Sequence, residues 1–132
     1  MSVKIDQALI SAFIDASFGL PIAHENGTYD PQPGTDYAEL LVLQNNITPL
    51  NLSSSNETDG IFRVILRYPA GELAITSKTM ADTIFANFGI GQRLSYSGVK
   101  VTIMSNQRGP GVNEDSWYKM VLTMSYRAFL AR

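Results

Sequence analysis

The chain has 132 residues, of which 45% are hydrophobic and 17% charged, with a formal net charge of −2 and a pI near 5.2. That length suits a single domain, residues 1–132, able to bury its own core. The charge balance excludes a disordered chain and a coiled coil, and it gives no global attraction to nucleic acid or anionic lipid, so any polyanion contact is local.

There is no cysteine, which excludes disulfides, thiolate zinc sites and cysteine nucleophiles. The opening residues, MSVKIDQALISAFIDASFG, place Asp6 and Asp15 where a signal peptide needs an uninterrupted apolar centre. No stretch approaches the roughly 20 apolar residues of a membrane span. The expectation is a protein made in the cytoplasm with no membrane partner.

From Ile5 to Phe18 the apolar residues Ile5, Leu9, Ala12, Phe13 and Ala16 recur at helical spacing, and Gly19 with Pro21 supplies a stop. A short strand near Ile22 to Glu25 leads into a Gly/Pro-rich stretch, and YAELLVL, Tyr37 to Leu43, reads as a strand. Residues 44–59, QNNITPLNLSSSNETD, break every periodicity and read as a long loop. That loop carries Ile47, Pro49, Leu50 and Leu52, which a purely solvated loop disfavours.

GIFRVILRYPAG then alternates as a strand, with Phe62, Val64, Leu66 and Tyr68 on one face and Ile61, Arg63, Ile65 and Arg67 on the other. A second helix follows, with Ala81, Ile84, Phe85 and Phe88 on its apolar side, Thr76 or Ser77 as N-cap and Gly89 beyond its end. GVKVTIM and WYKMVLTMSYRAF alternate as two more strands, joined by a long loop from Ser105 to Ser116. The order predicts an α+β fold, a mainly antiparallel sheet of about four to five strands with two helices packed on one face.

Parity places Arg63, Arg67, Lys100, Lys119 and Arg127 opposite the core positions, together with Ile61, Ile65, Met104 and Val121. The acids gather in predicted loops and turns, at Glu25, Asp30, Asp36, Glu57, Asp59, Glu72, Glu114 and Asp115, while parity alone does not assign the face of Glu39. Long cationic stems on an exposed sheet face are an ordinary arrangement. Aliphatic residues mixed with arginine suit an interface better than bulk water, and the two targets are acidic loops of a neighbouring subunit or a polyanion.

Signals for chemistry are weak. His24 is the only histidine and has neither a nucleophile elbow nor a second metal ligand in the sequence. Glu114 and Asp115 are adjacent in a Gly/Pro loop, and the GxG of FGIGQ follows a helix, whereas a phosphate cradle precedes one. The residues point to no enzyme and no cofactor.

The ordered set of an N-terminal amphipathic helix, YAELLVL, a polar loop, GIFRVILRYPAG, ADTIFANF running into GQRL, GVKVTI, RGPG and EDSWYKMVLTMSYRAF resembles the tail terminator (tail completion) proteins of long-tailed bacteriophages, the group of the lambda terminator. The resemblance implies a small structural protein that assembles as a ring, typically a hexamer, on the head-proximal end of a finished tail tube. It stops tube polymerisation and offers the docking surface for the head connector. The implied partners are further copies of itself, the major tail tube protein and the connector, with transient contact to genomic DNA in the channel, and the implied location is the virion tail.

Local physics assigns Arg63, Arg67, Lys100, Lys119 and Arg127 to a subunit interface or to the channel. Ile47, Leu50 and Leu52 of one loop, and Arg108, Glu114 and Asp115 of the other, are the docking-loop candidates. The alternatives are another phage neck or minor tail component, a small nucleic-acid-binding α/β domain, and a small enzyme centred on His24.

Overall fold

The computed structural model describes residues 3–16, 18–24, 36–44, 48–49, 55–69, 74–96, 98–114 and 117–131. The elements in chain order are α1 (Val3–Asp15), β1 (Ile22–His24), β2 (Tyr37–Gln44), β3 (Thr48–Pro49), β4 (Ser55–Pro69), α2 (Ala74–Asn87), β5 (Arg93–Tyr96), β6 (Val99–Arg108), β7 (Val112–Glu114) and β8 (Trp117–Ala131).

One sheet holds every strand, in the order β1-β2-β4-β8-β6-β5, with β3 flanking β4 and β7 flanking β8. All neighbours are antiparallel except β1 and β2, so the sheet is mixed. The α+β class holds, but eight strands stand where four to five were expected. Polar composition hid the additional strand residues. Ser55 to Asp59 extend β4 instead of belonging to a loop, Thr48 and Pro49 pair with β4, and Arg93 to Tyr96 form an edge strand that reads in sequence as a run-on from the helix.

The side-chain alternation of β4 and β8 creates two faces. Phe62, Val64, Leu66 and Tyr68 of β4, and Met120, Leu122, Met124, Tyr126 and Ala128 of β8, are buried on the core face. Both helices cover that face. Ile5, Ala8, Leu9 and Phe13 of α1 join the same buried cluster as Ala81, Ile84 and Phe88 from α2 and its end. Three phenylalanines tie the layers together: Phe62 of β4 lies 6.4 Å from Phe13 and 5.6 Å from Phe88 between ring centroids, and Phe13 lies 6.2 Å from Phe88. These are tilted and edge-on contacts of the kind aromatic quadrupoles favour.

The second helix begins at Ala74, earlier than the expected N-cap, so Thr76 and Ser77 lie within it and Ser77 is buried. On the opposite side of this helix Thr79, Thr83 and Asn87 each donate to the carbonyl four residues back, at 2.7, 3.0 and 3.1 Å. Those polar groups are thereby satisfied without any tertiary partner.

A β-bulge at Met104 changes the parity of β6. Lys100 and Thr102 stand opposite Phe129 and Arg127, but beyond the bulge Ser105 and Gln107 take the corresponding places opposite Ser125 and Thr123. Arg108 therefore falls opposite Leu122, toward the helices, where its guanidinium lies 3.9 Å from Asp82 of α2. The expected loop from Ser105 to Ser116 is accordingly shorter, because Ser105 to Arg108 continue β6 and Val112 to Glu114 form β7.

Gly60 is the position where the sheet tolerates no side chain. The Tyr126 phenol passes from β8 over Gly60 of β4 and donates to the Leu43 carbonyl of β2 at 3.3 Å. A Cβ at position 60 would collide with that carbonyl and with the phenol. Gly60→Ala is expected to cost about 2–3 kcal/mol in denaturant unfolding, because the nearer obstacle is backbone. Tyr126→Phe is expected to cost about 1 kcal/mol.

Burial, followed by the charges of Asp6 and Asp59, pushes the Tyr126 hydroxyl far above the ordinary phenol value of 10.0. The unfolded chain therefore loses this proton first as pH rises, and the contribution present below 10.0 is lost above it. The Phe variant should show a smaller fall in stability over that alkaline range, measured by unfolding at stepped pH.

Candidate functional site

The face of the sheet away from the helices carries the five basic residues that parity assigns to it. The register sets them in rungs across the strands: Tyr37, Arg67 and Lys119; Leu41, Arg63, Thr123 and Gln107; Asp59, Arg127, Thr102 and Arg93; and Phe129, Lys100 and Ser95. Between these lie the rungs of Glu39, Ile65 and Val121 and of Leu43, Ile61, Ser125 and Ser105. Charged rungs thus alternate with aliphatic ones along β4.

Three features of this face lie outside the sequence reading. Glu39 belongs to it and accepts a hydrogen bond from Arg67 Nε, closing a salt bridge in which Arg67 is 14% exposed. Asp59 also belongs to it, opposite Arg127, because β4 reaches back to Ser55. Arg93 joins the same rung from β5. The alternation of RLSY ahead of the Ser97-Gly98 turn was the available signal for that strand, and Gly98 adopts φ 87°, which suits glycine at the turn.

Two arrangements on this face are costly for a freely solvated surface. Arg67 and Lys119 stand directly opposite one another on the two long central strands, a placement of like charges that disfavours pairing. Glu39 offsets it at Arg67. Arg63, on the same strand, has its Nε buried with no hydrogen-bond partner among the described residues. A buried unsatisfied donor is uncommon and costs free energy until an acceptor reaches it.

At one end, Tyr37 is buried on this face and meets Trp117 edge-on at 5.2 Å, apart from the main core. At the other, a shallow cleft of about 330 Å³ runs over Gly60 and Ser125, between Ile61 and Met104 and beside Asp59 and Arg127. Leu43, Met104 and Phe129 are 43%, 46% and 40% exposed at this end, an apolar share that suits a covered surface. The arrangement can hold a partner carrying oxyanions and apolar groups.

Of the docking-loop residues, Ile47, Leu50, Leu52 and Asp115 lie outside the described residues. Glu114 is the last residue of β7, and Arg108 ends β6 on the helix side. Of His24 only the backbone is described, as the end of the edge strand β1. Among the described residues no three histidine or acidic side chains converge on a metal-sized site, and no helix is long and apolar enough to cross a membrane.

The family described as phage tail terminator protein matches residues 4–126. The chain belongs to this family. It is thus a structural protein of the phage tail. Ten chains of solved structures also match. One of them, which bears no functional description, superposes with a TM-score of 0.73 at 18% identity over 94% of this chain and 92% of its own, a likeness of fold. No curated protein matches.

The Arg67–Glu39 bridge gives a local test. Glu39→Ala leaves a largely buried guanidinium without its carboxylate and restores the full repulsion between Arg67 and Lys119. The variant should lose about 1–2 kcal/mol by urea unfolding. The double variant Glu39→Ala/Lys119→Ala should lose less than the sum of the two single changes.

Proposed function

We propose that the protein forms a homo-oligomeric ring, a hexamer by resemblance to lambda-like tails, on the head-proximal end of a long phage tail tube. There it stops tube polymerisation and presents the surface on which the head connector docks. The observation that carries this reading is the family match across residues 4–126. Its partners are copies of itself, the tail tube protein and the connector, with genomic DNA passing through the channel.

The sheet face described above supports a role in contact. A fold that only needed a solvated outer face would gain nothing from a buried Arg63 Nε without an acceptor among the described residues. This feature suits an oxyanion brought by assembly, either a carboxylate of a neighbouring copy or a phosphate of DNA in the channel. Arg63 is the residue on which that contact turns, since Arg67 already has Glu39.

Purified protein mixed with tail tubes should give a ring at one tube end by electron microscopy, and tubes without such rings would sink the reading. Arg63→Gln should fold normally yet lower the yield of complete particles about tenfold, the scale of one lost charged hydrogen bond. Fewer rings would mean that the acceptor belongs to a subunit, and normal rings with slowed DNA passage would mean phosphate. Lys78→Glu, on the exposed side of α2, is the control, and equal behaviour of the two variants would show that Arg63 makes no contact in assembly.

A further inference from the structure

The charges of this chain are divided along its length. Residues 5–62 contain no lysine or arginine, yet Asp6, Asp15, Glu25, Asp30, Asp36, Glu39, Glu57 and Asp59 lie in that span. All bases except Lys4 follow it. Strand order turns this division into a gradient across the sheet.

At one edge, β1 pairs only with β2 among the described residues, and residues 22–44 contain no lysine or arginine. Asp36 and Glu39 are the described acids there, and Glu39 is paired with Arg67. In the middle, β4 carries Glu57, Asp59, Arg63 and Arg67 and is neutral. Toward the other edge, β8, β6 and β5 carry Lys119, Arg127, Lys100, Arg108 and Arg93 and no acid, while the short β7 beside β8 carries Glu114. Asp15 of α1, which lines a cleft with Arg93, and Asp82 of α2, beside Arg108, are the helix acids that reach this side, so its net charge stays positive.

Neither edge strand has a second strand partner among the described residues. The β5 strand pairs only with β6, and beyond Ile103 the described pairing of β6 is to β8 alone. Ile90 and Met104 add exposed apolar surface near this edge, at 73% and 46%. An open edge ordinarily invites pairing with any copy of itself. Here the two edges differ in net sign, so a contact between unlike edges is favoured over a contact between like ones. That rule disfavours a two-fold dimer and selects a head-to-tail contact, the kind that closes into a ring.

We infer that the β1–β2 edge of one copy docks on the β5–β6 edge of the next, a contact led by Asp36 against Arg93 and Lys100. This rests on the ring reading and names its subunit interface. Arg63, on the central strand β4 between the two edges, stays available to whatever occupies the channel or the ring's flank. Burial already raises the Asp36 carboxyl above its ordinary value, so a cation brought beside it by docking would lower it again.

The test is charge reversal at each edge, read by native mass spectrometry and by ring counts on tail tubes, with circular dichroism and thermal unfolding to confirm folding. Asp36→Lys reverses the leading charge of one edge, and Arg93→Glu/Lys100→Glu reverses the leading pair of the other. Each is expected to reduce assembly roughly tenfold or more at low salt, with the wild type weakening as salt rises. The combined variant D36K/R93E/K100E restores opposite charges at the leading positions and should regain rings.

Rings that persist in the single-edge variants overturn the edge assignment and leave the ring reading standing. Folded single-edge variants that lose rings without rescue in the combined variant also overturn it, because attraction between the edges is then not the cause. A wild type that forms no ring on tubes overturns both readings.

Discussion

Everything in this molecule is referred to the ladder between β4 and β8, which runs without a break from Ser55 opposite Ala131 to Pro69 opposite Trp117. Because side chains alternate along paired strands, an unbroken register over that length leaves no freedom in the choice of face. One face receives Phe62, Val64, Leu66 and Tyr68 with Met120, Leu122, Met124 and Tyr126. The other must then take Arg63, Arg67, Lys119 and Arg127. A slip of one residue would turn one strand over, burying its two cations and exposing its share of the core, so the hydrophobic side enforces the position of the charges on the opposite side.

The Tyr126 phenol extends that control to a third strand. It crosses Gly60 to reach β2, and so links β8 to the strand that carries Glu39. Glu39 in turn meets Arg67, so β2 is fixed from both faces of the sheet, by a buried hydroxyl on one side and an ion pair on the other. The missing side chain at Gly60 lets the core bond form, and it also floors the cleft beside Asp59 and Arg127. Packing and the contact face therefore share one residue.

The two helices, the central strands and the five basic positions were legible because each rests on periodicity, which a single strand or helix displays by itself. Strand length was not. Ser55 to Asp59 carry serine, asparagine, glutamate, threonine and aspartate, a composition that favours loops, and they are strand because β8 supplies a long partner. Arg93 to Tyr96 are strand because β6 lies beside them. The bulge at Met104 has no signature in local alternation, which continues to look regular through GVKVTIM, so the true direction of Arg108 could come only from the pairing. The face of Glu39 depended likewise on register, and so did the placement of Asp59 beside Arg127.

A strand order can convert a property of the linear chain into a property of a surface. All lysines and arginines of this protein except Lys4 lie beyond residue 62, while eight of its twelve acids lie before it, a bias that an arbitrary fold would mix by packing. In this sheet the early strands β1 and β2 lie together on one flank, and the late strands β8, β6 and β5 lie together on the other, with neutral β4 between them. The bias therefore survives folding as a difference in net charge between the flanks. Under the edge docking proposed above, such a subunit has a direction. Repulsion between like flanks acts at a distance of about a Debye length, before close contact, so mis-oriented encounters are rejected early and at little cost to the stability of the fold. Arg63 sits on the central strand β4, between the two flanks, so what binds there need not be what joins one subunit to the next.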